Sequence, residues 1–153
     1  MPDPQPTTIL LVEDDPGHAR LIQKNLRRAD VTNDIFVLED GKKASDYIFG
    51  EGPGDSPKAV RSPTLIVLDL NLPIVDGFRL LKKIKSNERT KHVPVIILTS
   101  SDDDRDVEQC YALGCNLFLT KPVDYDKFSE AIRTMGHFLS VMSIPMLEQA
   151  HEL

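Results

Sequence analysis

Cysteine is scarce in this chain. Cys110 and Cys115 are its only two, and a pair spaced this way fits no secreted disulfide framework; both are expected to be buried, unreactive thiols. Long apolar runs are missing too: the longest are about five residues, far short of the roughly 20 needed to cross a membrane. Basic residues are in the minority, 18 Lys and Arg against 24 Asp and Glu for a net charge of -6. That balance argues against a nucleic-acid partner, which would need a basic face. Residues 1–7 lack both the basic start and the apolar stretch of a signal peptide, so the cytoplasm is the expected location. The histidines, His18, His92, His137 and His151, fall at no metal-ligand spacing and are assigned no role. No internal repeat or low-complexity tract is visible.

What is present is an alternation. At 153 residues the chain is long enough for one domain with a sizeable core. Thr8-Ile9-Leu10-Leu11-Val12 and Leu65-Ile66-Val67-Leu68 are short apolar runs without alternation, the pattern of strands buried on both faces. Further strands are expected over residues 34–38, 93–98 and 115–120. Helical spacing of apolar residues fills the gaps. Asp15-Pro16 caps and opens a helix that runs to about Arg28. Residues 41–49 make a short one, and Phe78, Leu80, Leu81 and Ile84 mark the third. A fourth covers residues 103–113 with Gly114 as its stop, its acidic Asp102-Asp103-Asp104 start favoured by the helix dipole. A fifth begins near Asp124 and carries Phe128, Ala131, Ile132, Met135, Phe138, Leu139 and Met142. Residues 50–63, rich in glycine and proline, read as a long surface loop. Strands alternating with helices predict a three-layer parallel α/β domain. Its expected bounds are residues 8–140, after a loose lead over 1–7.

In such a sheet the strand ends open on one rim, where ligands bind. The first strand delivers Glu13 and Asp14 there, the third Asp69, the fourth Thr99 and the fifth Lys121. Two like charges about 4 Å apart cost roughly 4 kcal/mol at an effective dielectric near 20, so the acids must take up protons or a cation. Oxygen ligands alone point to magnesium. Magnesium keeps waters and favours phosphate oxygens, which Lys121 and Thr99 are suited to hold.

Glu13-Asp14, Asp69 with Pro73 and Gly77, Thr99, and Lys121-Pro122 together resemble, in type, order and spacing, the two-component response regulator receiver domain over roughly residues 7–140. The resemblance implies a flavodoxin-like (βα)5 doubly wound sheet with strand order 2-1-3-4-5. It implies Asp69 as phosphoacceptor for a sensor histidine kinase. Magnesium would be held by Asp14 directly, by Glu13 through water, by Asp69 and by the backbone carbonyl of Asn71, with manganese or calcium as substitutes. Lys121 would pair with the carboxylate before transfer and the phosphoryl group after it. Thr99 would turn its hydroxyl to the phosphoryl oxygens. Phe118, where many relatives carry tyrosine, would either respond by changing rotamer or simply pack in the core. The Lys121–Pro122 bond would be cis. The loop over 50–63, the Leu98-Thr99-Ser100-Ser101 and Thr120-Lys121-Pro122-Val123-Asp124 segments and the Ser143-Ile144-Pro145 tail resemble the stand-alone regulators of bacterial phytochrome kinases.

Two other classes are disfavoured by the residues. A haloacid-dehalogenase-type phosphatase wants a second aspartate two positions after the nucleophile to protonate the leaving group, and position 71 is Asn. A flavin carrier wants hydroxyls and amides in its first loop, where Glu13-Asp14-Asp15 would repel a phosphate. No DNA-binding or catalytic output domain fits after about residue 140, so the expected output is a protein contact, whether as shuttle, adaptor or phosphate sink. The tail over 141–153 is too apolar for a free end. Phe138, Leu139, Met142, Ile144 and Pro145 are expected to form a homodimer arm, the alternative being packing on the tail's own domain.

Overall fold

The computed structural model describes residues 7–50 and 64–139. Within them the chain runs β1 (Thr8–Val12), α1 (Pro16–Arg28), β2 (Ile35–Leu38), α2 (Gly41–Phe49), β3 (Thr64–Leu68), α3 (Gly77–Ser86), β4 (Val95–Thr99), α4 (Asp104–Leu113), β5 (Leu117–Thr120) and α5 (Tyr125–Leu139). All strand pairs are parallel and the order is β2-β1-β3-β4-β5, the flavodoxin-like arrangement.

Side-chain alternation explains the three layers. In β1, β3 and β4 both faces are apolar, so each strand supplies two sets of core residues. Leu10, Val12, Ile66, Leu68, Val95 and Ile97 face α2, α3 and α4, where Ala44, Ile48, Leu80, Leu81, Ile84 and Cys110 cover them. Ile9, Leu11, Leu65, Val67, Ile96 and Leu98 face α1 and α5, under Ala19, Ile22, Leu26, Phe128, Ile132 and Met135. The central strands are thereby sealed from water on both sides, and only their ends are left for chemistry.

The helix starts match their caps. Asp15 accepts from the N–H groups of Gly17 and His18, Asp40 from Lys43, Asp76 from Arg79 and Asp103 from Arg105. Gly114 ends α4 in the left-handed region at φ 108°, its N–H returning to Cys110 and Tyr111. Two strands begin later than the apolar pattern suggests. Pro94 has no N–H to give the ladder, so β4 starts at Val95. Cys115 still donates to the Cys110 carbonyl as part of the helix stop, and the side chain of Asn116 caps the Val95 N–H at 2.8 Å; β5 therefore starts at Leu117.

One expectation is overturned. The Lys121–Pro122 bond is trans, and no cis peptide occurs among the described residues. Trans is the lower form even before proline, by about 0.5–1 kcal/mol. Lys121 also reaches the rim without reversing the bond, because its N–H extends the β4–β5 ladder to the Thr99 carbonyl at 2.7 Å. Most of the expected N-terminal lead, the loop over 51–63 and, in the tail, Met142, Ile144 and Pro145 lie outside the described residues.

Candidate functional site

Backbone hydrogen bonds decide where the polar side chains stand. The N–H of Glu13 donates to Leu38 O at 3.1 Å, that of Asp69 to Val12 O at 3.1 Å and that of Lys121 to Thr99 O at 2.7 Å. Each of these residues is the first beyond its strand, pinned by the neighbouring strand. β1 and β3 are adjacent, and the chain leaves β1 toward one sheet edge and β3 toward the other. Their ends therefore form the crevice at the switch point of the fold. The loop after β3 closes against α3 because position 77 is glycine. A Cβ there would lie 2.4 Å from Asp69 O and 2.5 Å from Leu70 Cα, while the Gly77 N–H bonds Leu70 O at 2.9 Å.

Among the described residues the rim gathers three acids and one lysine. Glu13, Asp14 and Asp69 each offer a carboxylate oxygen, all within 4.8 Å of one another. Lys121 Nζ bridges two of them, donating to Glu13 Oε1 and, at 2.9 Å, to Asp69 Oδ2. Glu13, Asp69 and Lys121 are buried, whereas Asp14 is exposed. The free oxygens are also bonded: Glu13 Oε2 accepts from the Asp15 N–H at 3.2 Å, and Asp69 Oδ1 from the Asn71 N–H at 3.1 Å. Asn71 Nδ2 in turn donates to the buried Thr99 hydroxyl at 3.4 Å.

Electrostatics follow from this crowding. Burial pushes the Glu13 carboxyl up to about 7; Lys121 opposes that shift and Asp69 adds to it. Burial alone would lower the Lys121 ammonium, but Glu13 and Asp69 outweigh it and hold the group above its ordinary value. One lysine thus faces three acids, and the site has room in its charge balance for a divalent cation. The donor set fits a hard one. It is all oxygen, and Asp14 faces water, so an ion held there would keep part of its hydration shell.

The sequence-derived residues converge as expected for Glu13, Asp14, Asp69, Asn71, Thr99 and Lys121. Glu13 is in addition the direct partner of Lys121. Phe118 is partly buried against the cluster under α2, α3 and α4, and its N–H donates to the Tyr111 hydroxyl at 3.1 Å. Cys110 and Cys115 are buried thiols, Cys110 pushed up to about 12 by burial and the charges of Cys115 and Asp106. At the end of α5, Leu139 packs on the core while Phe138 is exposed.

The residue missed from the sequence is His18. Its Nδ1 lies 3.3 Å from Lys121 Nζ, 4.0 Å from Glu13 Oε1 and 3.8 Å from Asp15 Oδ2. A signal existed: Asp15-Pro16 starts α1 at the rim, and His18 sits in its first turn.

The family model for the response regulator receiver domain matches residues 9–133. Among curated relatives, the probable methanogenesis regulatory protein FilR2 of Methanothrix harundinacea is 38% identical, over 87% of this chain and 83% of that protein. Response regulator Rcp1 of Synechocystis is 35% identical, over 92% and 94% respectively. Three solved structures are similar. A response regulator receiver domain from Rhodospirillum rubrum has a TM-score of 0.84 at 46% identity, covering 91% of this chain and 97% of that one. The phosphorylated cyanobacterial phytochrome response regulator RcpA gives 0.83 at 34%, covering 92% and 99%. The manganese-bound form of Rcp1 gives 0.81 at 34%, with the same coverage.

Proposed function

Because the chain belongs to the response regulator receiver domain family, we propose that it is a stand-alone phosphoacceptor switch charged on Asp69 by a phytochrome-type histidine kinase. The observation that carries the chemistry is the Asp69 carboxylate, buried at the switch point, hydrogen-bonded to Lys121 at 2.9 Å and grouped with Glu13 and Asp14. The kinase reading draws support from RcpA, described as a phytochrome response regulator. FilR2 is named for methanogenesis instead, so the kinase class is the part to test.

In transfer, an Asp69 oxygen attacks the phosphorus of a phosphohistidine. The phosphorus–nitrogen bond breaks, its electron pair stays on the imidazole nitrogen, and that nitrogen takes a proton from solvent. The product is an acyl phosphate on Asp69. Lys121 keeps one N–H toward the carboxylate and offers charge to the arriving oxygens; Thr99, whose oxygen accepts from the Asn71 amide, keeps its O–H to donate to the same group. Glu13, Asp14, Asp69 and the Asn71 carbonyl would hold magnesium, which when bound offsets the negative charge of the phosphoryl oxygens. Manganese suits the same donors, in keeping with the manganese-bound Rcp1 structure. Phosphorylation then shifts the face around α4 and β5, with Phe118 answering through burial because it has no hydroxyl.

The output is a protein contact. A groove of about 560 Å³ between β5 and α5 is lined by Leu98, Leu117, Leu119, Met135 and the exposed Phe138. The apolar residues that follow α5 in sequence would fill this groove on a second copy, making a homodimer. Removing residues 141–153 should convert a dimer to a monomer by mass in solution; an unchanged oligomeric state refutes the arm. For the kinase, phosphotransfer from a panel of histidine kinases should be fastest from one with a phytochrome-type sensor. Preference for another kinase would make the chain that kinase's shuttle or sink.

A further inference from the structure

His18 stands against Lys121, yet nothing in the chemistry above uses it. A lysine ammonium has three N–H groups and no lone pair. Glu13 Oε1 takes one and Asp69 Oδ2 another. The third points to His18 Nδ1 at 3.3 Å. For Lys121 to donate there, Nδ1 is the acceptor, the tautomer that carries the ring's hydrogen on Nε2.

The ring is held from two sides. Its own N–H is capped by Asp15 Oδ1 at 3.1 Å, which fixes the first turn of α1. Its face meets Phe128 of α5, with ring centroids 5.9 Å apart at a 42° tilt, and Phe128 is itself buried. The charged groups facing the imidazole are Lys121, Glu13 and Asp15. The side chain is 48% exposed.

We propose that His18 is a positioning residue for phosphoryl transfer: by accepting the third N–H of Lys121 it keeps water off the ammonium and holds Nζ in place between Glu13 and Asp69. Those two carboxylates already set the ammonium's rotation, because its three hydrogens turn together about the Cε–Nζ bond. Without His18 the third hydrogen bonds water, which competes with the carboxylates and lets Nζ drift from where the phosphoryl oxygens arrive. The inference rests on the phosphoacceptor reading above.

Three variants separate this role from a structural one. His18→Asn puts an amide oxygen two bonds beyond Cβ, where Nδ1 stands. His18→Gln puts it three bonds beyond, the position of Nε2. His18→Phe keeps a ring on Phe128 but has no acceptor. Each is phosphorylated with acetyl phosphate at saturating magnesium, and magnesium affinity is measured separately by calorimetry. His18→Phe and His18→Gln should lose about fivefold to tenfold in maximal rate, the order expected for one charge-assisted hydrogen bond at a partly solvated site. His18→Asn should stay within about twofold of wild type, and magnesium affinity should not move in any of them. A wild-type rate in His18→Phe, or an Asn variant as slow as the Gln variant, overturns the proposal. So does a loss that lies wholly in magnesium binding. Failure of the wild-type chain itself to take phosphate would instead sink the phosphoacceptor reading, and this inference with it.

Discussion

Lys121 is the sharpest place to press on the site's electrostatics. In Lys121→Met the side-chain bulk is kept and the cation is lost. Glu13 and Asp69, both buried, then face each other without the ammonium that bonds each of them. Removing one partner of a buried ion pair leaves an uncompensated charge and costs about 3–5 kcal/mol. For a domain of this size that is roughly 10–20 °C in Tm, at about 3–4 °C per kcal/mol. The cost is specific to charge, so two treatments should relieve it. Acid supplies protons to the carboxylates, and magnesium supplies a replacement cation, worth about 2.7 kcal/mol at a hundredfold excess over its Kd. The chain has no tryptophan, so urea unfolding is followed by far-ultraviolet circular dichroism, in chelator at pH 8, in chelator at pH 5, and with magnesium at pH 8. The gap between variant and parent should be widest in the first condition and shrink in the other two. A loss under about 1 kcal/mol, the scale of an exposed pair, or a loss indifferent to pH and magnesium would refute the reasoning.

Two further outcomes follow from the same crowding. Asp14→Asn removes an exposed member of the acid cluster and should raise stability in chelator by about 1 kcal/mol, the repulsion of two charges 4 Å apart in water, while abolishing the added stability that magnesium gives the parent; a lower thermal midpoint in chelator counts against it. Glu13 has a folded-state value raised by burial from 4.5 to about 7. The folded chain therefore binds more protons than the unfolded one across that window, and the contribution of Glu13 is fully present below about pH 4.5 and lost as pH rises through about 7. The stability difference between the parent and Glu13→Gln, measured in chelator, should accordingly fall with rising pH by at most about 1.4 kcal/mol per unit; a difference that is flat or rises would contradict the assignment.

Much of this molecule could be read from residue order, for identifiable reasons. Strands buried on both faces must be apolar without alternation, so Thr8–Val12 and Thr64–Leu68 stood out, and the polar residue that ends each run had to lie on the rim. Asp69, Glu13 and Lys121 were legible on that ground. What escaped depended on directions that spacing does not encode. That Lys121 would bridge Glu13 as well as Asp69 follows from the β1–β3–β4–β5 neighbourhood, which brings residues 13 and 121 together across 108 positions of sequence. His18 escaped because its significance lies in the angle at which the Asp15 cap launches α1: the Asp15-Pro16 start places it in the first turn at the rim but does not say which way the ring turns. The cis bond expected at Lys121–Pro122 came from resemblance alone, and local hydrogen bonding to Thr99 delivers the lysine without it. The late start of β5 likewise reflects side-chain capping by Asn116, which an apolar pattern does not report.

The central claim is that one carboxylate, made tolerable by its neighbours, takes the phosphoryl group. Radiolabelled phosphate offered by a phosphorylated histidine kinase in the presence of magnesium tests it directly, with wild type and Asp69→Asn side by side. Wild type should take up label in a linkage cleaved by hydroxylamine, as an acyl phosphate is, and the Asn variant should take up none. Equal labelling of the two chains would contradict the account.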